Sequence, residues 1–418
     1  PGTGPGGRGP GAGTAPRGTT AGGHAAGSQR RSAAVTRAGR AAAGIPVLSE
    51  LRVRRCQRPL TGRWQQVPVE PRGRAKLGIS FRPLQARSLG LDPRAALAQL
   101  VTHPFEIIRL AAYWDRMEPR PGAFDPADLD WQVDAAERAG KQIIIGVGAV
   151  KNFGYPEFFV PPHRLPEPLP EGSLVGPGSH PSLLAAATGF AAQVARRYQD
   201  RPSVIAWQVE HEAVDPLGLE HSWRLSARFA AEEVAAVRAA DPDRPILLNG
   251  FLPTSTPVRV MQWFRSRDQG DSLRVAQQLA DIVGIDFYPR HAVASAGGRT
   301  LYLDGSRLAG QQRRWREALR WAAAAPGRRL MIAEGQAEPW EAVTTPPSPD
   351  GAGAYSCLPE DVIRNYNQSL RTCRELPGGP WAYLFWGAEY WLLRQQQGDP
   401  RYLGAFARVL AEAGDPPA

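Results

Sequence analysis

From residue 77 onward the sequence predicts an α/β fold in which eight strand–helix units close into a parallel barrel. Short apolar runs alternate with amphipathic helical patterns, which is typical of βα units around a parallel sheet. The alternation occurs eight times in about 340 residues, and polar side chains follow the ends of several runs. A (β/α)8 TIM barrel fits this count, order and length. An open doubly wound sheet is the alternative, but no G-x-G-x-x-G motif follows the first run and no P-loop occurs.

Each predicted strand is a short apolar run, as expected for strands that are buried on both faces. The runs are 77–81, 105–110, 142–146, 204–208, 245–249, 281–288, 329–334 and 381–386. Helical patterns follow them at 92–101, 127–139, 181–198, 222–240, in pieces up to 280, and at 311–324, 359–375 and 402–413. Asp92 before Pro93 predicts the start of the first helix, and Gly140 predicts the end of the second.

The region before the barrel has a different composition. Residues 1–45 are Gly, Pro, Ala, Arg, Ser and Thr without a hydrophobic period, so we expect a disordered tail there. Scattered apolar positions in 46–76 predict a short packed extension. The domains are therefore 1–76, tail and extension, and 77–418, a (β/α)8 catalytic domain.

The net charge of +10 lies in that tail. Residues 1–76 hold 14 of the 50 Lys and Arg residues but only two of the 40 acids, Glu50 and Glu70. A nucleic-acid partner would depend on the tail alone and is not predicted. No apolar run of about 18 residues occurs, so no membrane span is expected. The chain starts at Pro1 rather than Met, which leaves cytoplasmic and secreted locations both open.

The fourth run, in PSVIAWQVEHEA (residues 202–213), ends in a group of polar and charged residues. Carboxylates are costly in a core but belong at the mouth of a parallel barrel, where such enzymes carry their chemistry. Glu212 here and Glu334 at the end of the seventh run would face each other across that mouth. Glu210 is expected to point away from Glu212 and is assigned a structural role.

Two carboxylates that flank one bond are what glycoside hydrolysis requires, one protonated and one ionised. Arg109 and Tyr288 are placed to keep Glu334 anionic, and Trp386 is placed to stack on a sugar ring. The predicted substrate-binding residues lie at or just beyond strand ends: Arg109, Trp114, Gln208, His211, Tyr288, Gln336, Trp340 and Trp386. For Tyr155 and Glu157, in the loop after the third strand, substrate contact and loop packing stay equally open.

Other hydrolytic chemistries lack their motifs. An H-E-x-x-H zinc motif that starts at His211 would need His at position 215, which is Asp215, and no G-x-S-x-G nucleophile elbow occurs. The three cysteines, Cys56, Cys357 and Cys373, have no metal-ligand spacing. We therefore expect no metal and no cofactor, and a carbohydrate as the partner.

Several strand ends resemble known motifs. AWQVEHEA resembles the W-Q-x-x-N-E signature of clan A retaining glycoside hydrolases, and GIDFYP, MIAEGQAEPW and YLFWGAEYW resemble the sixth, seventh and eighth strands of that clan. Residues 107–146 contain W-x-x-x-E-P-x-P-G-x-F-D, which is similar to the family 42 β-galactosidases and the family 5 cellulase-like enzymes. The resemblance covers about residues 77–410 and does not single out one family.

The resemblance implies a retaining O-glycosidase that cleaves β-linked glycosides by double displacement. Glu212 would be the general acid/base and Glu334 the nucleophile, with Arg109, Tyr288 and Trp386 at the sugar subsite. His211 stands where the clan usually has Asn, which leaves the identity of the sugar open. A carbohydrate-binding pseudoenzyme and a transglycosylase on the same barrel are the alternatives.

Overall fold

The computed structural model describes residues 50–55, 62–165, 167–215, 221–266, 268–296, 299–305, 308–324, 326–339, 356–376 and 379–414. Its strands are β1 (Leu51–Arg55), β2 (Lys76–Ser80), β3 (Ile107–Ala111), β4 (Gln142–Gly146), β5 (Leu174–Val175), β6 (Val204–Gln208), β7 (Arg224–Leu225), β8 (Ile246–Phe251), β9 (Ile282–Phe287), β10 (His291–Ala296), β11 (Arg299–Leu303), β12 (Arg329–Gln336) and β13 (Ala382–Trp386). Eight of them form a closed parallel barrel in the order β2-β3-β4-β6-β8-β9-β12-β13. The predicted TIM barrel is confirmed, and all eight predicted runs are its strands.

The helices surround the barrel. They are α1 (Pro83–Ser88), α2 (Pro93–Leu100), α3 (Trp114–Met117), α4 (Ala127–Arg138), α5 (Pro181–Tyr198), α6 (Ala227–Ala240), α7 (Thr256–Ser266), α8 (Ser272–Leu279), α9 (Ala309–Ala322), α10 (Pro359–Arg374), α11 (Ala388–Gln396) and α12 (Arg401–Glu412). The Asp92 side chain accepts a 2.7 Å hydrogen bond from the Ala95 amide, so it caps α2 as predicted. Among these helices, none is long and apolar enough to cross a membrane.

The barrel interior is filled by one side chain from most strands. A fully buried cluster inside the barrel includes Ile107, Ile144, Ala206, Leu247 and Ile282. Alternate residues of a strand point to the same face, so the residue two positions further along each strand also points inward, nearer the carboxyl ends. On β3, β6 and β8 that residue is polar (Arg109, Gln208 and Asn249), and on β9 the polar residue is Asp286, four positions beyond Ile282. These side chains form the base of the site described below.

The predicted extension packs on the barrel where it is described. β1 pairs antiparallel with β11, which pairs with β10. This three-stranded sheet was not predicted from the sequence. Glu50, 1% exposed, accepts hydrogen bonds from the amide and hydroxyl of Thr256 and from Nε2 of Gln311. The expected disordered segment, 1–45, lies outside the described residues, as do 46–49 and 56–61.

The Glu50 network predicts a measurable anchor for the extension. Glu50→Ala should lower the free energy of unfolding by about 2 kcal/mol, because it leaves buried donors on Thr256 and Gln311 without an acceptor. Glu50→Gln keeps an acceptor oxygen and should cost less. Urea unfolding measures both variants, and equal stability of Glu50→Ala and the unaltered chain would show that the extension contributes nothing.

Candidate active site

The inward-pointing polar layer of the barrel ends at one carboxylate, Glu334 on β12. Its Oε1 accepts a 2.6 Å hydrogen bond from Nη2 of Arg109 and lies 2.9 Å from Nε2 of His211. Its Oε2 accepts a 2.6 Å hydrogen bond from the hydroxyl of Tyr288. Three predicted site residues from three other strand ends therefore contact the carboxylate of Glu334, which is only 2% exposed.

The surroundings of Glu334 keep it ionised. Burial alone would raise its pKa, but the positive charges of His211, in its protonated form, and Arg109 act against burial. Hydrogen bonds from His211 and Tyr288 add to them, and together they lower the pKa of Glu334 to about 2. The side chain is thus a carboxylate at any ordinary pH, with its lone pairs directed by three fixed donors.

Glu212, just beyond the end of β6, has the opposite character. Burial, together with the charges of Asp215 and Glu334, raises the pKa of its carboxyl to about 7 against the opposing charges of His211 and Lys151. The mouth thus holds one ionised and one protonated carboxyl near neutral pH. Opposed shifts of this kind are typical of acid/base pairs in active sites.

The backbone that carries Glu212 is strained. Glu210 has a φ of 56° and Glu212 a φ of 44°, in the left-handed region that non-glycine residues rarely adopt. Lys151 holds this turn, since its Nζ donates 2.9 Å hydrogen bonds to the backbone carbonyls of Glu212 and Asp215. Strain that the surroundings enforce concentrates at functional sites, which supports a functional role for this turn.

Glu210 has the structural role that the sequence predicted. Its carboxylate accepts hydrogen bonds from the backbone amides of Val150 and Lys151, which ties the turn after β6 to the loop after β4. That loop approaches so closely that a Cβ on Gly148 would lie 2.1 Å from the Glu210 nitrogen, and only glycine fits there.

A second carboxyl lies beneath Glu210. Glu233 of α6 is 0% exposed and hydrogen-bonds Glu210. Burial, followed by the charge of Glu210 and the hydrogen bond to it, raises the pKa of Glu233 well above its usual range. The pKa of Glu210 is also raised by burial. Two adjacent buried carboxyls cannot both ionise cheaply, so this pair holds a proton.

The polar layer inside the barrel is connected by hydrogen bonds. Nη1 of Arg109 donates to Oε1 of Gln208 at 3.2 Å, and Nε2 of Gln208 donates to Oδ1 of Asn249 at 2.9 Å. Nδ2 of Asn249 donates to Oδ2 of Asp286. Gln208 was predicted as a substrate contact, but it is 1% exposed and its amide is used in this chain. Its role here is to connect Arg109 to Asn249.

Trp386, at the end of β13, is held by a buried ion cluster. The guanidinium of Arg82 lies 4.2 Å from the centre of the indole ring and forms salt bridges to Glu338 (2.8 Å) and Glu389 (2.5 Å). All three charged side chains are at most 3% exposed. The ring of Phe153 meets Trp386 edge-on at 6.3 Å. The sequence analysis did not predict this cluster.

The loop after β4 reaches over this mouth with Tyr155. Burial raises the pKa of Tyr155 well above its usual range, and the charges of Glu157, Glu338 and Glu334 act in the same direction. Phe153, Phe158 and Phe159 of the loop are buried. The phenylalanines of the loop therefore pack and its tyrosine faces the carboxylates, while substrate contact by Tyr155 or Glu157 stays a prediction.

Two predicted substrate contacts are not at the mouth. Trp114 is 0% exposed, packs on Phe190 of α5 and donates to Glu118 at 2.6 Å. It begins α3 beyond the strand, where the chain has turned outward, so the assignment was wrong. Gln336 is also 0% exposed and its amide nitrogen donates to Ser356 at 3.1 Å, so that nitrogen is occupied within the protein. Trp340 lies outside the described residues.

One group at the mouth has the spacing of a metal site. Ligand atoms of His211, Asp286 and Glu334 all lie within 4.8 Å of one another. Both oxygens of Glu334 already accept hydrogen bonds, one from the permanently charged Arg109. A cation in this position would face that guanidinium, so the donor set suits a network of protons better than a metal ion.

Comparison with known proteins agrees with this geometry. Residues 94–222 match the glycoside hydrolase family 42 model, described as Beta-galactosidase. GH5_18 from Streptomyces cattleya, in complex with GlcNAc, is 13% identical, with 84% of this chain and 83% of that chain covered and a TM-score of 0.52. Native xylanase 10B from Thermotoga maritima is 14% identical, with 83% and 98% covered and a TM-score of 0.50. A search of the curated proteins finds no match.

The two structural likenesses are likenesses of fold. The family match is a similarity in sequence. It covers the segment from α2 to the loop beyond β6, which includes Glu212. Barrel and match together define the chain as a glycosidase of the clan A type, as its motifs implied. The matched segment covers less than half of the chain and assigns it to no single family of that clan.

The buried pair Glu210 and Glu233 predicts how stability depends on pH. Because both pKa values are raised in the folded chain, the folded state binds more protons than the unfolded state above the unfolded pKa of about 4.3. Stability is therefore lost as pH rises from there. Glu233→Gln, which cannot ionise, should flatten this loss and stabilise the chain by about 1–2 kcal/mol at alkaline pH.

Urea unfolding between pH 5 and 9 measures the effect. The control is Glu232→Gln, because Glu232 is the exposed neighbour on the same helix, and its variant should follow the unaltered chain. Parallel stability curves for the Glu233 variant and this control would contradict a shared buried proton.

Proposed function

We propose that the protein is a retaining β-glycosidase in which Glu334 is the nucleophile and Glu212 the general acid/base. The observation that carries the proposal is the pair of carboxyls at the ends of the fourth and seventh barrel strands with opposed pKa shifts, to about 7 for Glu212 and about 2 for Glu334. A retaining mechanism needs one carboxyl that delivers a proton and one that attacks as an anion.

In the first step, an oxygen of Glu334 forms a bond to the anomeric carbon while the glycosidic C–O bond breaks. Glu212 transfers its proton to the departing oxygen and becomes a carboxylate. In the second step, Glu212 removes a proton from water, and the water oxygen bonds to the anomeric carbon as the ester to Glu334 breaks. Each step inverts the configuration at the anomeric carbon, so after two steps the sugar leaves with its original configuration.

The surrounding residues have roles that follow from their contacts. Arg109 and Tyr288 hold Glu334 as an anion and fix the direction of its lone pairs. They also stabilise the same carboxylate as it is released in the second step. Trp386, held by Arg82 and Phe153, is suited to stack on the C–H face of a sugar.

A carbohydrate substrate is supported by the family match and by the polar lining of the mouth. His211 contacts Glu334 from the position where related signatures carry Asn. Since Nε2 of its ring already contacts that carboxylate, we propose that His211 serves mainly to position the nucleophile, and contacts the sugar second.

The alternative of a binding protein without catalysis requires an inert carboxyl pair. The opposed pKa shifts and the strained turn at Glu212 favour turnover instead. A transglycosylase would use the same two carboxyls with a sugar hydroxyl in place of water. A panel of nitrophenyl glycosides, assayed with and without added acceptor sugars, separates the three candidates. Binding of a glycoside without release of nitrophenol would contradict the hydrolase.

The assignment of roles predicts different azide products. Glu334→Ala should lower kcat on the order of 10⁴-fold or more, and azide should restore turnover of an activated aryl glycoside by forming a glycosyl azide of inverted configuration. Glu212→Ala with azide should give the retained azide, because azide then attacks the glycosyl-enzyme. Proton NMR of the products distinguishes the two.

Glu317→Gln, at an exposed position of α9, controls for handling of the variants. Inverted azide from the Glu212 variant, or full activity of Glu334→Ala, would overturn the assignment of roles.

The pKa of Glu212 predicts the alkaline limb of the pH profile. An acid catalyst is active while protonated, so kcat/KM should fall as pH rises through about 7. In Glu212→Gln this limb should disappear, and substrates with poor leaving groups should lose roughly 10²–10⁴-fold while activated ones lose less. An unchanged limb in that variant would assign it to another group.

A further inference from the structure

The inference concerns Asp286, a third carboxyl at the mouth, and rests on the proposed roles of Glu212 and Glu334. Asp286 ends the inward-pointing layer on β9 and is 0% exposed. It lies within 4.8 Å of the nearest ligand atoms of His211 and Glu334, and it hydrogen-bonds the carboxyl of Glu212. It therefore lies between the two proposed catalytic groups.

The hydrogen-bond chain through the barrel determines which Asp286 oxygen is an acceptor. A guanidinium only donates, so Arg109 fixes the Gln208 carbonyl toward itself and the Gln208 amide nitrogen toward Asn249. Asn249 must then accept with its oxygen and donate with its nitrogen, and that nitrogen donates to Oδ2 of Asp286. The orientations of the Gln208 and Asn249 amides therefore both follow from the guanidinium of Arg109, which can only donate.

The other oxygen, Oδ1, is in a different situation. It is buried and accepts no hydrogen bond from a nitrogen or hydroxyl donor among the described residues. The carboxyl of Glu212 also interacts with that of Asp286, and because Oδ2 accepts from Asn249, Oδ1 is the oxygen left to face it. Two carboxyls make a favourable contact only if one of them carries a proton between them.

We propose that Asp286 stays protonated through the catalytic cycle and donates its Oδ1 proton to Glu212, which makes Asp286 a positioning residue that stabilises the ionised acid/base. An ionised Asp286 would add a third buried negative charge to the mouth, where Arg109 already pairs with Glu334. Burial, followed by the charges of Glu334 and Glu212, raises the pKa of Asp286 well above its usual range against Arg109. This supports the assignment from geometry.

The charged groups that face this pair come from every neighbouring element. Glu212 also faces Asp215, Lys151, His211 and Glu334, and Asp286 also faces Arg109 and Glu334. These neighbours are the same in every variant below, so a change at position 286 isolates its own contribution.

Two variants give opposite expectations for the alkaline limb of kcat/KM. Asp286→Asn can direct its oxygen to Asn249 and its NH₂ to Glu212, as a protonated Asp does, so the midpoint of the limb should stay close to that of the unaltered chain. Asp286→Leu removes the donor to ionised Glu212, so the midpoint should move up by about one to two pH units. If Asp286 is ionised instead, both variants lose a negative charge and both midpoints move down, which would overturn the proposal.

Infrared spectroscopy tests the same proton without any substrate. At pH 8, the difference between the unaltered chain and Asp286→Asn should contain the carbonyl band of one protonated carboxylic acid. Glu233→Gln identifies the separate band of Glu233, and thermal unfolding confirms that all variants fold. A difference spectrum with a carboxylate band in its place would overturn the proposal. Because this readout needs no turnover, its result does not depend on whether the protein is a glycosidase.

Discussion

The buried ion pair between Arg109 and Glu334 is the interaction on which the mouth of the barrel depends. A carboxylate that is 2% exposed is costly unless charge and hydrogen bonds replace water. Arg109, His211 and Tyr288 supply them from three other strand ends. Because these donors are rigidly placed, the anion is stabilised before substrate arrives, which is the arrangement electrostatic catalysis requires.

The same guanidinium sets the proton arrangement at the acid/base. Through Gln208 and Asn249 it orients the acceptor side of Asp286, and in our account Asp286 then supports Glu212. The ionised and protonated halves of the site are therefore parts of one network that starts at one side chain. Loss of Arg109 should disturb both halves, whereas loss of Tyr288 should disturb the nucleophile alone.

Much of this site was readable from sequence because strand ends of a parallel barrel converge. Once the apolar runs were placed, Arg109, Glu212, Tyr288, Glu334 and Trp386 followed from their positions. Trp114 was misplaced because the same rule does not say where the chain turns outward after β3. The Arg82 cluster and the Glu210–Glu233 pair were missed because they join residues that are distant in sequence, such as Arg82 and Glu389. Partners of that kind are set by tertiary packing and leave no local pattern.

The central claim is that Glu334 forms the covalent bond to the sugar. Incubation with a panel of 2-deoxy-2-fluoro glycosides carrying activated leaving groups, followed by peptide mass spectrometry, tests it directly. The account predicts one added fluorosugar on the peptide that contains Glu334, with loss of activity at the same rate. A label on Glu212 or another carboxyl, or steady turnover of the parent glycoside without any label, would contradict it.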